Sequence, residues 1–306
     1  MRKYFIIILG CLFQSLYAGD YDFSLYADNG VINQSATNYG KYLFIFEDKF
    51  ASITLYDLSA KEIIYTLKLV PHPERNKTSI VYHCNQCCFS KTKFHKNDSF
   101  PLLYLSQRRP NEQEGAFIDV IRIIPHITDK KQIDSFNIQK IQRIHLPKMT
   151  DKNSLGYPNI VVDSKNGVFY SYSRNNRINA ENHWEAVITK FSIPDIKNNE
   201  EVYLTDEDII DAFPLGISLY GAQGGFYRKN SIYFVQGFPT TSDPEHNYVY
   251  FREINLKQKK VKRTVDMLNN GFKMEPEGCW FYNKKVMVTN NKKEIYELTG
   301  KKYKVR

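Results

Sequence analysis

Two carboxylates close together in the last third of the chain form its most distinctive short motif. Glu275 and Glu277 flank Pro276 in the segment Met274–Gly278, and residues two apart project to the same side of an extended chain. Paired carboxylates perform acid–base catalysis when their surroundings separate their pKa values. The preferred alternative is structural: a turn that begins an inner strand, with Glu277 hydrogen-bonded to neighbouring backbone.

A second set of candidates consists of polar residues that each precede a strongly apolar strand. The five are Gln34, Asn85, Asn159, Gln223 and Glu277. Four of them lie nine residues before a residue of that strand. Asn85 lies seventeen before, which predicts an inserted loop at Ser90–Asp98. The intervals of 51, 74, 64 and 54 residues between the five predict repeated units of about sixty residues.

If each of these residues lies on the innermost strand of its unit, the five side chains form a ring at one end of a central channel. Such a ring could bind a ligand. Through Glu277, Gln223 and Asn159 it could also hold a hard cation such as calcium. It could equally hold water and close the channel.

His83 is a further candidate for acid–base chemistry. It lies near His95 and Asp98, and it would meet Asp98 if the inserted loop folded over the channel mouth. No metal-ligand spacing is matched here, and a histidine packed on a strand is the preferred interpretation. The catalytic candidates are therefore Glu275, Glu277 and His83, and the ligand-binding candidates are the five ring residues together with His83.

Four cysteines follow the N-terminal segment, at Cys84, Cys87, Cys88 and Cys279. The first two are spaced as a metal-binding or redox pair, but the second ligand pair that a structural zinc site needs is absent from the sequence. Small buried residues are the preferred interpretation, and one disulfide of unassigned pairing in an exported protein is the alternative. The sequence contains no serine-hydrolase elbow, phosphate-binding loop, zinc-protease motif or dinucleotide-binding glycine pattern.

Strand-forming residues dominate the elements that must position these side chains. The chain of 306 residues has 22 tyrosines and 20 phenylalanines, which favour β-strands. Three strands can be placed in each unit after its polar residue. The third strands are predicted at Glu62–Leu69, Lys140–Leu146, Glu201–Leu204, Lys260–Met267 and Lys302–Val305.

This repetition predicts an all-β fold, a β-propeller of about five blades, with a sixth left open. Phe23–Ala27 precedes the first unit and would add an outer strand to the last blade, so that pairing of N- and C-terminal strands closes the ring. The main helix signal is Thr205–Phe213, which predicts one short helix between the third and fourth units.

The first residues are typical of a bacterial export signal. Arg2 and Lys3 precede ten apolar residues, Tyr4–Phe13, which are too few to span a bilayer. We predict cleavage after Ala18, so that residues 1–18 are a signal peptide and residues 19–306 form a single β-propeller domain. The expected location is secreted or periplasmic, with a lipoprotein anchored at Cys11 as the alternative, and no transmembrane helix is predicted in the mature chain.

Basic residues exceed acidic ones, and the formal net charge of +9 becomes +7 once Arg2 and Lys3 are removed. The excess is concentrated at Lys257–Arg263 and Lys301–Arg306. The preferred interpretation is protection of edge strands from aggregation, and the alternative is contact with an anionic envelope polymer or lipid surface. Nucleic acid is not an expected partner, because no nucleic-acid-binding motif is present.

Two strings resemble the repeats of exported bacterial β-propellers: Gln223–Phe226 before Ile232–Phe234, and Glu275–Gly278 before Val286–Val288. The class that they resemble includes teichoic-acid-biosynthesis C-type proteins and some phage receptor-binding proteins. His83–Tyr104 also resembles a segment of secreted bacterial propellers. The resemblance loosely covers residues 80–300, and it implies a propeller fold and export.

The predicted function is a binding or scaffold module of the cell envelope that recognises a glycan, an envelope polymer or a protein partner at the channel mouth. It rests on the export signal, the amides of the ring and the lack of a catalytic motif. The alternative is a hydrolase or lyase that uses Glu275, Glu277 and His83, with or without a divalent cation. A third interpretation is a structural role, with the basic C-terminal tail mediating assembly. The sequence leaves enzymatic activity undecided, with a non-enzymatic role preferred.

Overall fold

The computed structural model describes residues 23–31, 33–47, 52–69, 84–107, 117–147, 159–172, 175–178, 184–197, 200–239 and 247–305. Within these residues the regular elements are β-strands and two short 3₁₀ turns. The strands form five sheets that are arranged as the blades of a β-propeller, which confirms the predicted fold class and blade number. No helix in the described residues has the length and apolar character needed to cross a membrane.

The strands follow the chain blade by blade, after a first strand β1 (Phe23–Asp28). Blade 1 contains β2 (Ser35–Tyr39), β3 (Tyr42–Glu47), β4 (Ser52–Asp57) and β5 (Glu62–Lys68). Blade 2 begins with β6 (Cys84–Phe89), β7 (Leu103–Gln107), β8 (Phe117–Ile127) and β9 (Ile133–His145). Blade 3 begins with β10 (Asn159–Asp163), β11 (Val168–Tyr172), β12 (Asn175–Ile178) and β13 (Trp184–Ser192).

The remaining strands complete these sheets and form two more. Strands β14 (Glu200–Tyr203) and β15 (Ile209–Pro214) join blades 2 and 3, respectively. Blade 4 contains β16 (Ala222–Arg228), β17 (Ser231–Phe238), β18 (Tyr248–Asn255) and β19 (Lys260–Asp266). Blade 5 contains β20 (Pro276–Tyr282), β21 (Lys285–Asn290) and β22 (Glu294–Leu298). The inner strands of the five blades are β2, β6, β10, β16 and β20.

Tight turns connect the first two strands of blades 4 and 5. Lys229 and Asn230 join β16 to β17, and Asn283 and Lys284 join β20 to β21; all four residues have positive φ. Two consecutive residues with positive φ match the right-handed twist of the flanking strands, so both turns fix the register of their hairpins.

The apolar core is divided into five clusters, and each cluster fills the space between two neighbouring blades. Phe44 of blade 1 packs with Leu105 of blade 2, for example, and Trp280 of blade 5 packs with Leu43 of blade 1. The other three clusters join blades 2 and 3, 3 and 4, and 4 and 5. Each blade is therefore held mainly by its two neighbours, as expected for a radial repeat.

The first strand closes the circle of five blades, as predicted from Phe23–Ala27. Strand β1 pairs antiparallel with β22, with Phe23 opposite Leu298 and Asp28 opposite Glu294. It takes the outer position of blade 5, which had been predicted for Lys302–Val305. That prediction is wrong, because this segment instead forms a 3₁₀ turn at Lys301–Tyr303.

Two further predictions between blades 3 and 4 are wrong. The strand predicted at Glu201–Leu204 as the third of its unit is β14, which pairs in parallel with β9 of blade 2. The predicted helix at Thr205–Phe213 is a 3₁₀ turn at Asp206–Asp208 followed by β15. Thr205 does begin the turn, where its N–H and Oγ1 both donate to Asp208 Oδ2 (2.6 and 3.0 Å), but the residues that follow alternate in exposure and pair with β13. Pairing with the sheet thus overrides the local helix signal.

Candidate active site at one end of the channel

The inner strands bring the five predicted polar residues to the same end of the channel. Asn159 is the first residue of β10, while Asn85, Gln223 and Glu277 are the second residues of β6, β16 and β20. Gln34 immediately precedes β2, and its backbone N–H donates to Phe46 O (2.9 Å). Neighbouring inner strands pack against each other around the axis. We call these five residues the polar ring.

Bulges direct three of these side chains. Asn85, Gln223 and Glu277 each fall in a break of register, where β6, β16 and β20 pair with the next strand of their blade. A bulge residue is left out of the regular ladder, so its side chain can turn away from the direction that strict alternation gives. All five residues except Gln34 are buried.

One side of the polar ring is closed by its own hydrogen bonds. Asn85 Nδ2 donates to Asn159 Oδ1 (2.8 Å), and Asn159 Nδ2 donates to Ala222 O (2.8 Å). A longer bond joins Asn85 Nδ2 to Ala222 O (3.3 Å). These contacts link blades 2, 3 and 4, so the two asparagines have a structural role that the sequence alone did not reveal.

The other side of the ring has unused hydrogen-bonding capacity. Gln34 Nε2 is 3.5 Å from Glu277 Oε2, at the limit of a hydrogen bond. Gln223 Oε1 is buried and has no hydrogen-bond partner among the described residues. A buried acceptor without a partner is costly, and a ligand or water that donates to it would remove the cost.

Glu277 is the residue of the ring with the most unusual electrostatic surroundings. Burial raises the pKa of its carboxyl well above the ordinary value, and the charge of Glu275 raises it further. Glu275 is half-buried and accepts a hydrogen bond from Asn291 Nδ2 (3.0 Å). The two carboxyl groups predicted as a pair therefore interact electrostatically, and Glu277 favours the protonated form, which can donate a proton.

The channel is blocked just beyond the ring by a residue that the sequence analysis missed. Gln86, fully buried on β6, reaches across to β16, where its Nε2 donates to Gly225 O (2.7 Å) and its Oε1 accepts from Gly225 N (2.5 Å). Tyr172 OH also donates to Gln86 Oε1 (3.4 Å). The signal in the sequence is Gly224, the first of the two glycines after Gln223, because a Cβ there would lie 3.0 Å from Gln86 Oε1.

Asp98, the residue that His83 was predicted to meet, does not join the ring. His83 lies outside the described residues, as do the predicted signal peptide and Cys11. The inserted loop leaves β6 at the end opposite Asn85, and Asp98 pairs there with Arg122 (Oδ1 to Nη2, 2.6 Å). The expectation that Asp98 folds over the ring is therefore wrong.

The four described cysteines are buried and unpaired in the core. Cys84 and Cys87 lie in the same apolar cluster between blades 1 and 2, since the bulge at Asn85 brings residues three apart to one side of β6. Cys87 Sγ lies 3.1 Å from Ser35 Oγ. Burial raises the pKa of both Cys87 and Cys88, so neither thiol is activated as a nucleophile.

The described residues contain no group of three or more His, Cys, Asp or Glu side chains that could hold a metal ion. The predicted calcium ligands Glu277, Gln223 and Asn159 are on the ring, but Asn159 is engaged with Asn85 and Ala222. Calcium prefers ionised carboxylates, and the only carboxyl of the five ring residues favours its protonated form. The calcium site stays a prediction.

The fold has neighbours among solved structures. No family model and no curated protein matches the sequence. A glucose dehydrogenase aligns at 11% identity and a TM-score of 0.47, covering 91% of this chain and 99% of that chain. A virginiamycin B lyase from Staphylococcus aureus aligns at 11% identity and a TM-score of 0.44, covering 91% and 98%. A Myxococcus xanthus glutaminyl cyclase aligns at 9% identity and a TM-score of 0.46, covering 90% and 92%.

At these identities the likeness bears on the propeller fold alone. The prediction of a non-enzymatic binding scaffold is corrected to this extent: the three structures carry the names of enzymes, not of binding scaffolds, and so do not support it, while the likeness assigns no activity to this chain. They give no support to the teichoic-acid or phage receptor-binding class. Of that resemblance, the part that is shown is the β-propeller.

Proposed function

We propose that this protein is an enzyme of the hydrolase or lyase class, with Glu277 as its general acid. The observation that supports the proposal is the position of this carboxyl, buried on a bulge at the ring end of a channel that Gln86 closes. Burial favours the protonated carboxyl, and a protonated carboxyl can donate to a leaving oxygen. Carboxyl groups whose pKa is raised in a concave polar site are frequent catalytic residues.

The groups around Glu277 favour a neutral substrate rich in hydroxyl groups, such as a carbohydrate. Gln223 Oε1 can accept a hydrogen bond from a substrate hydroxyl, and Gln34 Nε2 can donate one, since its contact with Glu277 is long. The five residues of the ring include no cation that would hold an anionic group. Asn85 and Asn159 keep the opposite side of the ring in place through their mutual hydrogen bond.

In the hydrolytic reaction, Glu277 donates its proton to the oxygen that leaves as a carbon–oxygen bond breaks. Water adds its hydroxyl to that carbon, and the remaining proton of the water passes to Glu275, which returns it to Glu277 through solvent. In the lyase reaction, Glu275 instead takes a proton from the adjacent carbon, and a carbon–carbon double bond forms as the oxygen leaves. His83 stays a predicted third participant.

The proposed site of action is outside the cytoplasm, either secreted or periplasmic. The support for it is the N-terminal sequence, with its basic residues, short apolar stretch and small residue at Ala18. Attachment through a lipid on Cys11 is the alternative. A glycan or another envelope polymer would then be the substrate rather than a passively bound partner.

The proposal is tested by screening the purified protein against polysaccharides and chromogenic glycosides. The variants are Glu277→Gln and a matched control, Glu297→Gln, which changes a half-buried carboxylate of the same blade that pairs with Lys285. We expect turnover by the wild type, a loss of about a hundredfold or more in Glu277→Gln, and little change in the control. An unsaturated product identifies a lyase. Wild-type turnover by Glu277→Gln, or a ligand bound at the ring and never consumed, would contradict the proposal.

A further inference from the structure

A second polar site lies on the outer side of blade 4, far from the inner strands. It is a cleft of about 520 Å³ between blade 4 and the C-terminal segment. Among the described residues, its lining consists of Glu253, Lys262, Arg263, Lys301 and Lys304. The four cations and one carboxylate of this described lining carry a net charge of +3. We call it the basic cleft.

The carboxylate of the basic cleft is committed to two of the four cations. Glu253 is buried, and it accepts from Lys262 Nζ (2.8 Å) and Arg263 Nη2 (2.7 Å). Burial alone would raise the pKa of Glu253, but the hydrogen bond from Lys262 and the charges of Arg263 and Lys262 lower it below the ordinary value. Glu253 therefore stays ionised and holds Lys262 and Arg263 in place.

Arg263 also ties the C-terminal segment to β19. Its Nη1 donates to the backbone carbonyls of Lys302 and Lys304, the second at 3.0 Å. Lys301 and Lys304 are three residues apart around a 3₁₀ turn, so their side chains lie on the same side. Arg263 thus determines where these two lysines border the cleft.

Hydrogen-bonding and charge capacity remain unused in the cleft. Arg263 Nε is buried and has no hydrogen-bond partner among the described residues. Lys301 and Lys304 are exposed, and no described carboxylate forms an ion pair with either of them. These two ammonium groups, together with the positive charge of Arg263 in the same lining, form an arrangement that attracts a multivalent anion.

We propose that the basic cleft binds a soluble ligand that carries two or more phosphate groups, with Lys301 and Lys304 as its phosphate-binding residues. Lysine ammonium groups bind phosphate as point charges, and the cleft is larger than one phosphate group requires. The basic cleft shares no residue with the polar ring, so this proposal does not depend on the proposed enzymatic activity.

The experiment measures binding of sodium tripolyphosphate to the full chain by calorimetry. It compares the wild type, the double variant K301Q/K304Q, and the charge-matched control K91Q/K93Q in the exposed part of the inserted loop. We expect the double variant to bind about tenfold or more weakly and the control to bind like the wild type. Binding should weaken at high salt, because the charges are exposed to solvent.

Three results would overturn the proposal: no binding by the wild type, equal loss in both double variants, or no loss in K301Q/K304Q. Vesicles of phosphatidylcholine with phosphatidylglycerol are the fourth arm, and binding to these vesicles without binding to tripolyphosphate would assign the cleft to a membrane surface instead. If the double variant does not fold, the single variants K301Q and K304Q replace it, and each is expected to weaken binding.

Discussion

At the scale of single residues, Glu277 differs from another buried carboxylate of this protein in what surrounds it. Asp119 is fully buried, but it receives two hydrogen bonds from Arg143, at 2.7 and 2.9 Å. Among the described residues, Glu277 has one long hydrogen-bond contact, with Gln34, and a second carboxylate, Glu275, that raises its pKa. A buried acid without a cation costs stability, and proteins keep such a cost mainly at functional sites.

Glu277 should make the stability of the protein fall as the pH rises. Its pKa in the folded state lies above the ordinary 4.5, first because of burial and then because of Glu275. At a pH between these two values the folded state holds a proton that the unfolded state has lost, so the free energy of unfolding decreases with pH in this window. Urea unfolding from mildly acidic to alkaline pH should show this slope in the wild type and a flatter profile in Glu277→Gln. Parallel profiles would count against the assignment.

Asp57 should have the opposite dependence. Burial alone would raise its pKa, but hydrogen bonds from Lys41, Ser59 and Ala60 lower it from 3.8 to about 2. Its contribution to stability is therefore complete above 3.8 and is lost as the pH falls towards 2. Asp57→Asn should lower the free energy of unfolding at neutral pH by about 2 kcal/mol.

The control for Asp57 is Asp134→Asn. Asp134 lies on the exposed surface and pairs there with His126 (2.7 Å), so its replacement should change the unfolding free energy little. Thermal or urea unfolding of the two variants at neutral pH and at acidic pH distinguishes them. Equal effects of the two substitutions would mean that the hydrogen bonds to Asp57 do not stabilise the fold.

At the scale of elements, the inner strands determine the site through their bulges. Strict alternation along an inner strand would place neighbouring side chains on opposite faces of the sheet. The bulges in β6, β16 and β20 release Asn85, Gln223 and Glu277 from this alternation. The bulge at Asn85 also frees the next residue, Gln86, to reach Gly225 across the channel.

Gly225 should tolerate no side chain. A Cβ on Gly225 would lie 2.3 Å from Tyr233 O and 2.6 Å from Phe234 Cβ, whereas a Cβ on Gly278 would meet its nearest neighbour, Ala36 N, at 3.4 Å. Gly225→Ala should therefore cost on the order of 3 kcal/mol or prevent folding, and Gly278→Ala should cost about 1 kcal/mol or less. Denaturant midpoints of the two variants provide the comparison. A tolerated Gly225→Ala would mean that β16 and β17 are less closely packed at this position than the structure shows.

The sequence predicted the regular repeat well and the exceptions poorly. The polar residues and the apolar strands after them recur at nearly constant spacing, so the five blades and the end of the channel where Gln34 and Asn159 lie could be inferred. A bulge does not recur at a regular spacing in the sequence, so the direction of the Gln86 side chain, and with it the role of this residue, could not be inferred. The parallel return of β14 to blade 2 also escaped prediction, because it depends on contacts between distant residues rather than on local propensity.

At the scale of the whole molecule, stability depends on closure of the ring. Each apolar cluster joins two blades, and the interface between blades 5 and 1 is the one that joins the two ends of the chain. Strand β1 extends blade 5 by pairing with β22. The aromatic side chain of Phe23 packs edge-on against that of Phe272, with 5.3 Å between the two centroids. A propeller without this strand has an unpaired outer edge on blade 5 and fewer contacts between its first and last blades.

Removal of residues 1–28 should therefore lower the thermal midpoint markedly, because it deletes β1 and its ladder with β22. Removal of residues 1–22 leaves that ladder intact and is the matched control, which should unfold like the full chain. Calorimetry of the two truncated proteins gives the comparison. Equal midpoints would show that pairing of the terminal strands adds nothing to the closed ring.

The proposed chemistry depends on a protonated Glu277 at neutral pH, and this can be measured without knowing the substrate. Carbon-13 NMR of protein labelled at glutamate carboxyl carbons gives a titration curve for each carboxyl, and Glu277→Gln identifies the signal that belongs to Glu277. We expect this signal to titrate well above the ordinary 4.5, as burial and Glu275 require. A signal that titrates near 4.5 would mean that Glu277 is ionised at neutral pH, and it would contradict its role as the general acid.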